Sequence, residues 1–386
     1  MAAQTVETLQ LTTSVELISD GHAFLALRNE WNSLLEDSRS VCFFLTHEWL
    51  FTWWKHLGGE YELAIRAVRT GKKLLAIAPL ILRRPRPREG RLLPTLEFLG
   101  NGFAGSDYLD VIVRRGFETD AIQALAAELH AAGAKSIFAL RLANTLMPGS
   151  IAAAVVDQLA TQKWTVDSVQ TNVCPYIPLA GHSWEPFLLS LGSETRYNFN
   201  RKWKRLNRDF AVEFCQADEA SLPDSLSTLI SQHNSRWTDR GGSDAFHTPE
   251  LIGFHKEITR VALDRGWLRL YILRLNKTAA ASLYGFSFGK KFYFYQSGLD
   301  RTYEKHSVGF LTMGLAIQRA LSESVSEFDL LHGDESYKFH WTSVTRAIAR
   351  MEVHPPGIRG VAARSCLQLG RISRNVARRV LSSTPK

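Results

Sequence analysis

The fold and the chemistry of this chain both depend on residues 328–341, which read FDLLHGDESYKFHW. The apolar start of this stretch predicts a short strand that ends at His332-Gly333. Because chemistry in α/β units collects in the loops at strand ends, the residues that follow predict acid/base groups. A capped turn with a surface ion pair is the alternative. Two acids, a phenol and an amine follow the strand, namely Asp334, Glu335, Tyr337 and Lys338.

The sequence before this stretch predicts the rest of an α/β unit. Turn-forming residues at 276–278 separate two β-rich runs, Arg269 to Leu275 and Ala279 to Phe288, and so predict a hairpin. Lys291 to Gln296 predicts a further strand. The period of Val308 to Ser324 predicts a helix, and Glu327 to Leu331 predicts the closing strand.

The first half of the chain repeats this order of elements. The helix and the closing strand recur about 190 residues later, which is the mark of a duplicated unit. We therefore predict an α/β fold with mixed sheets, made of two tandem units at 1–180 and 181–356 and a tail at 357–386. The first unit has predicted strands over Glu62–Arg69, Lys73–Arg83, Thr95–Leu99, Tyr108–Val113 and Ser136–Leu142, with a helix over Phe117–Ala132.

A helical insertion is predicted over 183–266, between the two units. Ser183 is placed to cap the helix that begins at Trp184. Thr248-Pro249-Glu250 is a second start signal, because it combines a cap, a proline at the first helical position and an acid at the positive end of the helix dipole. Gly266 is expected to end that helix.

Composition excludes several classes of protein. A chain of 386 residues with 45% apolar content is long enough for two domains with cores, so it is not disordered. No apolar run approaches the roughly 20 residues of a membrane span, and a cytoplasmic protein is expected. The four cysteines, Cys42, Cys174, Cys215 and Cys366, lie far apart and predict free thiols rather than a disulfide framework.

The net charge of +8 belongs to the tail. Residues 357–386 carry seven basic residues and no acid, and without them 39 basic residues remain against 38 acidic ones. A nearly neutral body argues against DNA as a partner.

Two familiar motifs occur without their structural context. Gly100 to Gly105 fits G-x-G-x-x-G, but the alternating residues after it predict a strand and not the helix that dinucleotide binding needs. Gly285 to Gly289 fits a nucleophile elbow, but it lies inside the predicted hairpin. The histidines show no zinc-ligand spacing, so no metal is predicted.

A basic segment at 196–208 is the second informative stretch. On a helix, Arg196, Asn200 and Lys204 recur every four residues and form one polar stripe, with Arg201 alongside. Cations on adjacent turns repel one another unless an anion lies nearby. The stripe therefore predicts either a solvated helix face or a binding site for a phosphate-bearing ligand.

The sequence resembles the tandem GNAT-like acyltransferases associated with cellulose biosynthesis and, more distantly, the Fem-type peptidyltransferases. The resemblance runs from about Glu30 to Arg350, and it rests on the order of its motifs. These are Phe44-x-x-x-x-Trp49, Ala78-Pro79-Leu80, Gly105 to Asp110, the helix from Arg196 to Arg208, Arg236-Trp237, and Asp329-x-x-x-Gly333-Asp334-x-x-Tyr337-Lys338-x-x-Trp341.

The resemblance implies transfer of an acyl group from acetyl-CoA or another acyl-CoA to an amine. The acceptor it implies is a small molecule, a saccharide or an envelope component, and no metal takes part. In GNAT folds the pyrophosphate lies at the N-terminus of the helix after the fourth strand. Here that turn holds His306, Ser307, Val308 and Gly309, which with Gln296 are the implied cofactor-binding residues. The usual Q/R-x-x-G-x-G/A is replaced, and a charged tRNA as donor is the alternative.

The mechanism implied is direct transfer between the two units, without a covalent enzyme intermediate. Asp334 or Asp329 is the candidate base, with Glu304 in reserve, because the amine must lose a proton before it attacks. Tyr337 would return a proton to the thiolate, and Lys338 would stabilise the oxyanion or a substrate phosphate. The implied substrate-binding residues are Arg196, Asn200, Arg201, Lys204, Arg236 and Trp237. A non-catalytic basic binding module is the alternative to an enzyme.

Within the tail at 357–386, the segment from Ser365 to Val380 predicts a basic amphipathic helix. Leu369, Ile372 and Val376 fall on one helical face, and arginines fall on the other. This pattern is typical of peripheral contact with an anionic membrane, and a disordered solubilising tail is the alternative.

Overall fold

The computed structural model describes residues 13–89, 91–102, 104–237 and 245–369. The strands of the first half are β1 Thr13–Ile18, β2 Tyr61–Leu63, β3 Ile65–Thr70, β4 Lys73–Ala78, β5 Leu80–Arg83, β6 Thr95–Phe98, β7 Ile112–Val113, β8 Ala139–Met147 and β9 Thr165–Pro178. Those of the second half are β10 Val212–Gln216, β11 Leu268–Leu275, β12 Thr278–Phe288, β13 Lys291–Leu299, β14 Glu327–Asp329 and β15 Thr345–His354.

Helices cover the faces of these strands. They are α1 Gly21–Ala26, α2 Arg28–Glu36, α3 His47–Leu57, α4 Glu118–Lys135, α5 Ile151–Thr161, α6 Trp184–Ser190, α7 Ser193–Asp209, α8 Leu222–Trp237, α9 Pro249–Asp264 and α10 Val308–Ser322. A further helical segment covers 358–369.

One mixed sheet of eleven strands runs through both halves of the chain. Its order is β10-β11-β12-β13-β14-β9-β15-β8-β6-β5-β2, and β1-β3-β4-β7 form a second sheet in the first half. Parallel pairs occur between β13 and β14 and between β6 and β8, whereas their neighbours are antiparallel. The predicted α/β fold with mixed sheets is confirmed.

The second half follows its predicted order closely. The hairpin of β11 and β12, the strand β13, the helix α10 and the strand β14 all occur, with ends that differ by a few residues. The insertion at 183–266 is not wholly helical, because β10 pairs antiparallel with β11. Phe214 of β10 stacks on Tyr271 of β11 with ring centroids 5.0 Å apart, and this contact fixes the strand on the edge of the sheet.

The predicted strand over Tyr108–Val113 is wrong for most of its length, since only Ile112–Val113 is extended and paired. Tyr108 has a left-handed backbone with φ 59°. The buried carboxylate of Asp110 accepts the amides of Val111 and Ala152 at 2.8 and 2.7 Å, and thereby caps α5. These side-chain bonds to backbone amides replace a strand ladder.

The strands β9 and β15 were not predicted, and they join the two halves. β14 pairs with the end of β9, while β15 pairs with both β9 and β8. The proposed boundary near residue 180 falls just after β9. The sheet is nevertheless continuous across it, so the end of the chain returns to the first half.

The shared sheet separates two hydrophobic clusters. Successive side chains of a strand point to opposite faces, and β13 follows this rule. Phe292 and Phe294 pack in the cluster around α10, whereas Tyr293 and Tyr295 face the cluster of the first half. The middle strands of the second unit therefore contribute side chains to both hydrophobic cores, one from each face of the sheet.

Aromatic side chains of the first half pack against this part of the sheet. Phe43 is fully buried and stacks on Phe286 of β12, with centroids 3.9 Å apart and an interplanar angle of 15°. Trp49 packs edge-on against Phe286 and Tyr295. Burial of one such ring stabilises the fold by about 1.5–3 kcal/mol. The aromatic residues Phe43, Phe44, Trp49 and Trp53 are therefore part of the core.

Helix capping gives a test of the insertion. Thr248 accepts the Leu251 amide at the start of α9, whereas the side chain of Ser183 makes no capping bond to α6. Thr248→Ala should lower the free energy of unfolding by about 1 kcal/mol because one amide loses its acceptor. Ser183→Ala, the matched control, should change it by less than about 0.5 kcal/mol. Urea unfolding followed by circular dichroism measures both, and equal losses would contradict the assigned caps.

Candidate active site

A gap opens in the sheet where β13 and β14 part. The two strands pair in parallel only over Lys291–Tyr293 and Glu327–Asp329. β13 then stays with β12 as far as Leu299. The chain after β14 instead follows β9, where the Leu330 amide donates to the Pro175 carbonyl at 2.9 Å. Open α/β sheets bind ligands in such crevices beyond the carboxyl ends of their strands.

A β-bulge in β13 shapes one wall of this crevice. The register with β12 shifts after Tyr284, which opposes Gln296, and Tyr295 is left without an opposite residue. The Tyr295 hydroxyl donates to the Ala104 carbonyl of the first half at 2.5 Å. The bulge thus turns a side chain across the crevice and ties the wall to the other half.

The first of two cavities, the α10 cavity, has a volume of about 370 Å³ and lies at the start of α10. Three residues predicted for this turn, Ser307, Val308 and Gly309, line it together with Glu304, the reserve candidate for the base. Ser307 has a left-handed backbone with φ 57°, which brings the chain sharply into the helix. His306, the remaining member of the turn, packs edge-on against Phe210 with centroids 4.9 Å apart.

The start of α10 gives this cavity its electrostatic character. Amides in the first turn of a helix have no partner within the helix, and they form the positive end of its dipole. Gly309 and Phe310 bring this turn to the cavity, and Lys202 of α7 adds a cation to the wall. Glu194 and Glu304 also line the cavity. It therefore combines anion-binding amides with a wall of mixed charge.

The second cavity, the interdomain cavity, has a volume of about 790 Å³ and lies between the halves. Asn144 and Thr171 line it from the first half, and Gln296 and His332 line it from the second. Ser297 and Tyr337 line both cavities. Two ligands held in the two cavities would therefore meet beside these two residues.

His332 is paired with an acid of the first half. Its Nδ1 lies 2.9 Å from both carboxylate oxygens of Asp107, and its backbone amide donates to Asp107 Oδ2 at 2.9 Å. Asp107 is fully buried, whereas the His332 side chain is 46% exposed. The charge of Asp107 and its hydrogen bond raise the pKa of His332 above the usual range, and the nearby Lys338 opposes this shift.

The ammonium group of Lys338 is enclosed by backbone carbonyls. Its Nζ donates to the carbonyls of His332 at 2.6 Å, Leu331 at 3.3 Å and Gly333 at 3.4 Å. Glu335 completes the surroundings with an ion pair at 3.0 Å. Lys338 is only 3% exposed, although it reaches the wall of the interdomain cavity. In this structure it holds the loop that carries His332.

Asp329 lies beneath the site and is fully buried. Its Oδ1 accepts the Tyr108 hydroxyl at 3.0 Å and the Leu331 amide at 2.8 Å. Burial raises the pKa of Asp329 to about 6, and Arg346, 3.8 Å away, opposes the shift. Its carboxylate joins the two halves and has no surface open to a substrate.

The other predicted residues lie in several places. Asp334 is exposed, and it lines neither cavity in the described part of the chain. Asn200, Arg201 and Lys204 are also exposed, on a face of α7 other than the one that lines the α10 cavity with Thr195, Asn198 and Lys202. Arg196 is half-buried. The side chains of Arg236 and Trp237 lie outside the described residues.

His332 and Asp107 were not predicted as site residues. His332 lies in the stretch 328–341, but its partner is 225 residues away, and no local pattern pairs them. A signal was present at Asp107, which follows the G-x-G-x-x-G loop at the end of β6. Asp107 also lies within the Gly105 to Asp110 motif of the family resemblance, which does not by itself indicate a role for this residue.

Within the described residues, no group of three or more histidine, cysteine, aspartate or glutamate side chains is placed to hold a metal ion. The helices described there include none that is long and apolar enough to span a bilayer.

Comparison with known proteins finds one family match, and it lies in the second half. Residues 193–339 match the family described as acetyltransferase (GNAT) domain. This segment runs from α7 through α10 to the loop of Lys338, so it contains most of the lining of the α10 cavity and one wall of the interdomain cavity. The predictions of a GNAT-like domain and of a transferase are confirmed. No curated protein matches the chain.

Solved structures share the fold of nearly the whole chain. FemX aligns with a TM-score of 0.60 and 10% identity over 84% of this chain and 95% of its own. The C-terminal domain of a putative lysylphosphatidylglycerol synthetase from Agrobacterium fabrum aligns at 0.52 and 10% identity over 91% and 95%. L-PGS from Bacillus licheniformis aligns at 0.51 and 10% identity over 89% and 95%. The likeness to FemX confirms the Fem-type resemblance at the level of the fold.

The enclosure of Lys338 predicts a structural effect of its removal. Lys338→Met should lower the free energy of unfolding by about 1–3 kcal/mol, because three carbonyls lose their donor. Amide exchange of residues 330–339 should accelerate as well. Glu335→Gln, the control, removes only a half-exposed ion pair and should cost less than about 1 kcal/mol. Hydrogen exchange by mass spectrometry and urea unfolding check this, and unchanged exchange in Lys338→Met would contradict the role.

Proposed function

We propose that the protein transfers an acyl group from an acyl-CoA to an amine. One observation carries the proposal: the α10 cavity and the interdomain cavity adjoin at Ser297 and Tyr337, where β13 and β14 part. The α10 cavity would hold the donor, and the interdomain cavity would hold the acceptor. The reacting carbonyl and amine would then meet beside Tyr337, so that transfer is direct.

The donor site is favoured by the start of α10. A pyrophosphate there would accept hydrogen bonds from the amides of the first turn and would lie at the positive end of the helix dipole. Lys202 would add a charge-assisted contact. The acids Glu194 and Glu304 would repel phosphates that came close to them, so the phosphates would bind near Gly309 and the acyl arm would extend toward Ser297.

The acceptor site is favoured by the composition of the interdomain cavity. Its wall presents amide and hydroxyl groups from Asn144, Asn172, Gln296 and Ser336. Such groups bind hydroxyls and amines of a small molecule or a saccharide by hydrogen bonds. Tyr337 stands where the leaving thiolate would form, and its phenol would supply a proton. The association with cellulose biosynthesis stays a prediction.

A charged tRNA is the second candidate donor. The observation in its favour is the exposed basic face of α7, which carries Arg201, Lys204, Arg205 and Arg208. The ion pairs of Arg205 and Arg208 are both made to Asp209, so the cations outnumber their acid on this face. Phosphate backbones bind such surfaces in a salt-dependent way.

Substitutions at one position, Gly309, can distinguish the effect of charge from the effect of shape at the donor site. A Cβ at Gly309 would meet only Leu299 Cδ2 at 3.5 Å, so a side chain fits there. Gly309→Glu should weaken acetyl-CoA binding by about tenfold or more, because a carboxylate would face the phosphates. Gly309→Gln, equal in size and neutral, should change the affinity by less than about threefold.

Isothermal calorimetry with acetyl-CoA measures both variants against the native protein. Equal weakening by both variants would contradict an anion site at α10. If tRNA is retained in a gel shift and acetyl-CoA does not bind, the results would favour a charged tRNA as the donor.

We further propose that the segment 357–386 contacts an anionic membrane surface. Ile358, Val361 and Leu369 are 89%, 62% and 65% exposed along the helical segment at 358–369. On the other side of this segment, Arg364 forms two bonds of 2.7 Å to Asp167 of β9. The remaining residues add five cations and no acid to the sequence. Apolar side chains beside a basic segment suit anionic lipid.

Two exposed positions of this segment test the contact with equal changes of charge. Val361→Asp should reduce sedimentation with phosphatidylglycerol vesicles at low salt by about threefold or more, because it removes an apolar contact as well as adding an acid. Gln368→Asp adds the same charge at an exposed polar position and should reduce it less. Equal sedimentation of the full chain and of a chain lacking 357–386 would contradict the proposal.

A further inference from the structure

The loop that follows β6 is built to hold Asp107 in one place. Gly100 and Gly102 have φ of 91° and 101°, which side chains with a Cβ rarely adopt. Ser106 then accepts the indole N–H of Trp49 at 2.8 Å and donates to the Gly100 carbonyl at 2.7 Å. The loop is therefore pinned to the core of the first half immediately before Asp107.

The contact with Asp107 fixes both the orientation and the tautomer of His332. A carboxylate only accepts, so Nδ1 of the neutral imidazole must carry the hydrogen. The basic lone pair is then at Nε2, on the side of the ring away from Asp107. Since Asp107 is fully buried and the His332 side chain is 46% exposed in the wall of the interdomain cavity, Nε2 is the nitrogen available to a ligand.

We propose that His332 is the base that accepts the proton of the amine, and that Asp107 is its positioning residue. This inference rests on the proposed function, and it assigns the base to a pair that only the contact between the two halves creates. Asp334 is exposed outside both cavities and Asp329 is buried beneath them, so neither reaches the acceptor as His332 does.

The step balances with the acyl-CoA as the only co-reactant. The amine nitrogen forms a bond to the thioester carbon while His332 Nε2 takes the proton of that nitrogen. The carbon–sulfur bond breaks, and its electron pair leaves with the thiolate. A proton from the Tyr337 hydroxyl, or from the imidazolium, ends on the sulfur, and Tyr337 is reprotonated by His332. The products are an amide and free CoA.

Charged groups around His332 set the direction of its pH dependence. Asp107 stabilises the imidazolium, Lys338 opposes it and Glu335 supports it, and together they raise the pKa of His332. Only the neutral imidazole accepts a proton, so the rate should rise with pH through that raised pKa. Removal of the Asp107 charge should lower the pKa, and the rising limb should move to lower pH.

The decisive variant is Asp107→Asn, which keeps the size of the side chain and removes its charge. The kcat should fall by about 10²-fold, because the imidazole loses its fixed orientation, while the KM of the acceptor should change by less than about threefold. The rising limb of the pH profile should move down by about one unit or more. Asp110→Asn is the control, because that carboxylate is also buried in this loop but caps α5 instead of binding His332. Asp110→Asn should leave the rising limb of the pH profile at the same pH as in the native protein.

Chemical rescue distinguishes a catalytic role of His332 from a structural one. His332→Ala should lose about 10²-fold or more in kcat, and added imidazole should restore part of it through the opened cavity. Failure of imidazole to restore activity, together with an unmoved limb in Asp107→Asn, would overturn the assignment of the base.

A titration without substrate separates this inference from the proposed function. The pKa of His332, followed by NMR of the imidazole, should be lower in Asp107→Asn than in the native protein. An unchanged value would overturn the pair even in an active enzyme. If no acyl-CoA is consumed with any amine while the titration moves as expected, the proposed function fails and the pair stands without its role in acyl transfer.

Discussion

The parting of β13 from β14 is the constraint on which the rest of the site depends. A strand can pair on two edges only, and each of these two strands keeps one edge for its partner on the far side, β12 or β9. They nevertheless share a ladder for only three residues and then diverge. The divergence opens the sheet, and each strand continues on its other neighbour, so the ladder is lost only at the edges that face the opening. Both cavities border this opening, and Ser297 and Tyr337 lie where they meet.

Polar contacts of Asp107 and Tyr108 help to hold the halves together across this opening. Asp107 of the first half binds the backbone and ring of His332, and Tyr108 donates to Asp329. On both sides of the joint a non-glycine residue has a left-handed backbone, Tyr108 with φ 59° and Leu331 with φ 56°. Such conformations cost about 1–3 kcal/mol each and persist where the surrounding contacts demand them. These strained residues align polar groups of the two halves. Packing of apolar side chains alone would not fix that alignment.

The sequence predicted what local patterns control and missed what distant contacts control. The hairpin at 276–278, the helix at 308 and the cap at Thr248 follow from turn chemistry, periodicity and capping, and all three occur. β9 and β15 carry no comparable local signal, since strands that mix charged and apolar side chains are defined by their partners. The same distinction between local patterns and distant contacts applies to the residues of the site. The turn before α10 was found from its order in the chain, whereas the partner of His332 could be found only once the halves were in contact.

The distribution of charge around the interdomain cavity explains why an imidazole, and not a carboxylate, suits the work of a base there. Three carboxylates beside the cavity already have partners: Asp107 holds His332, Asp329 holds Tyr108, and Glu335 holds Lys338. The ammonium of Lys338 is likewise committed to three carbonyls. A group that must release and regain a proton in each turnover needs one atom without a fixed partner. In His332 the two tasks are separated, because Nδ1 is committed to Asp107 and the other ring nitrogen is left to the ligand.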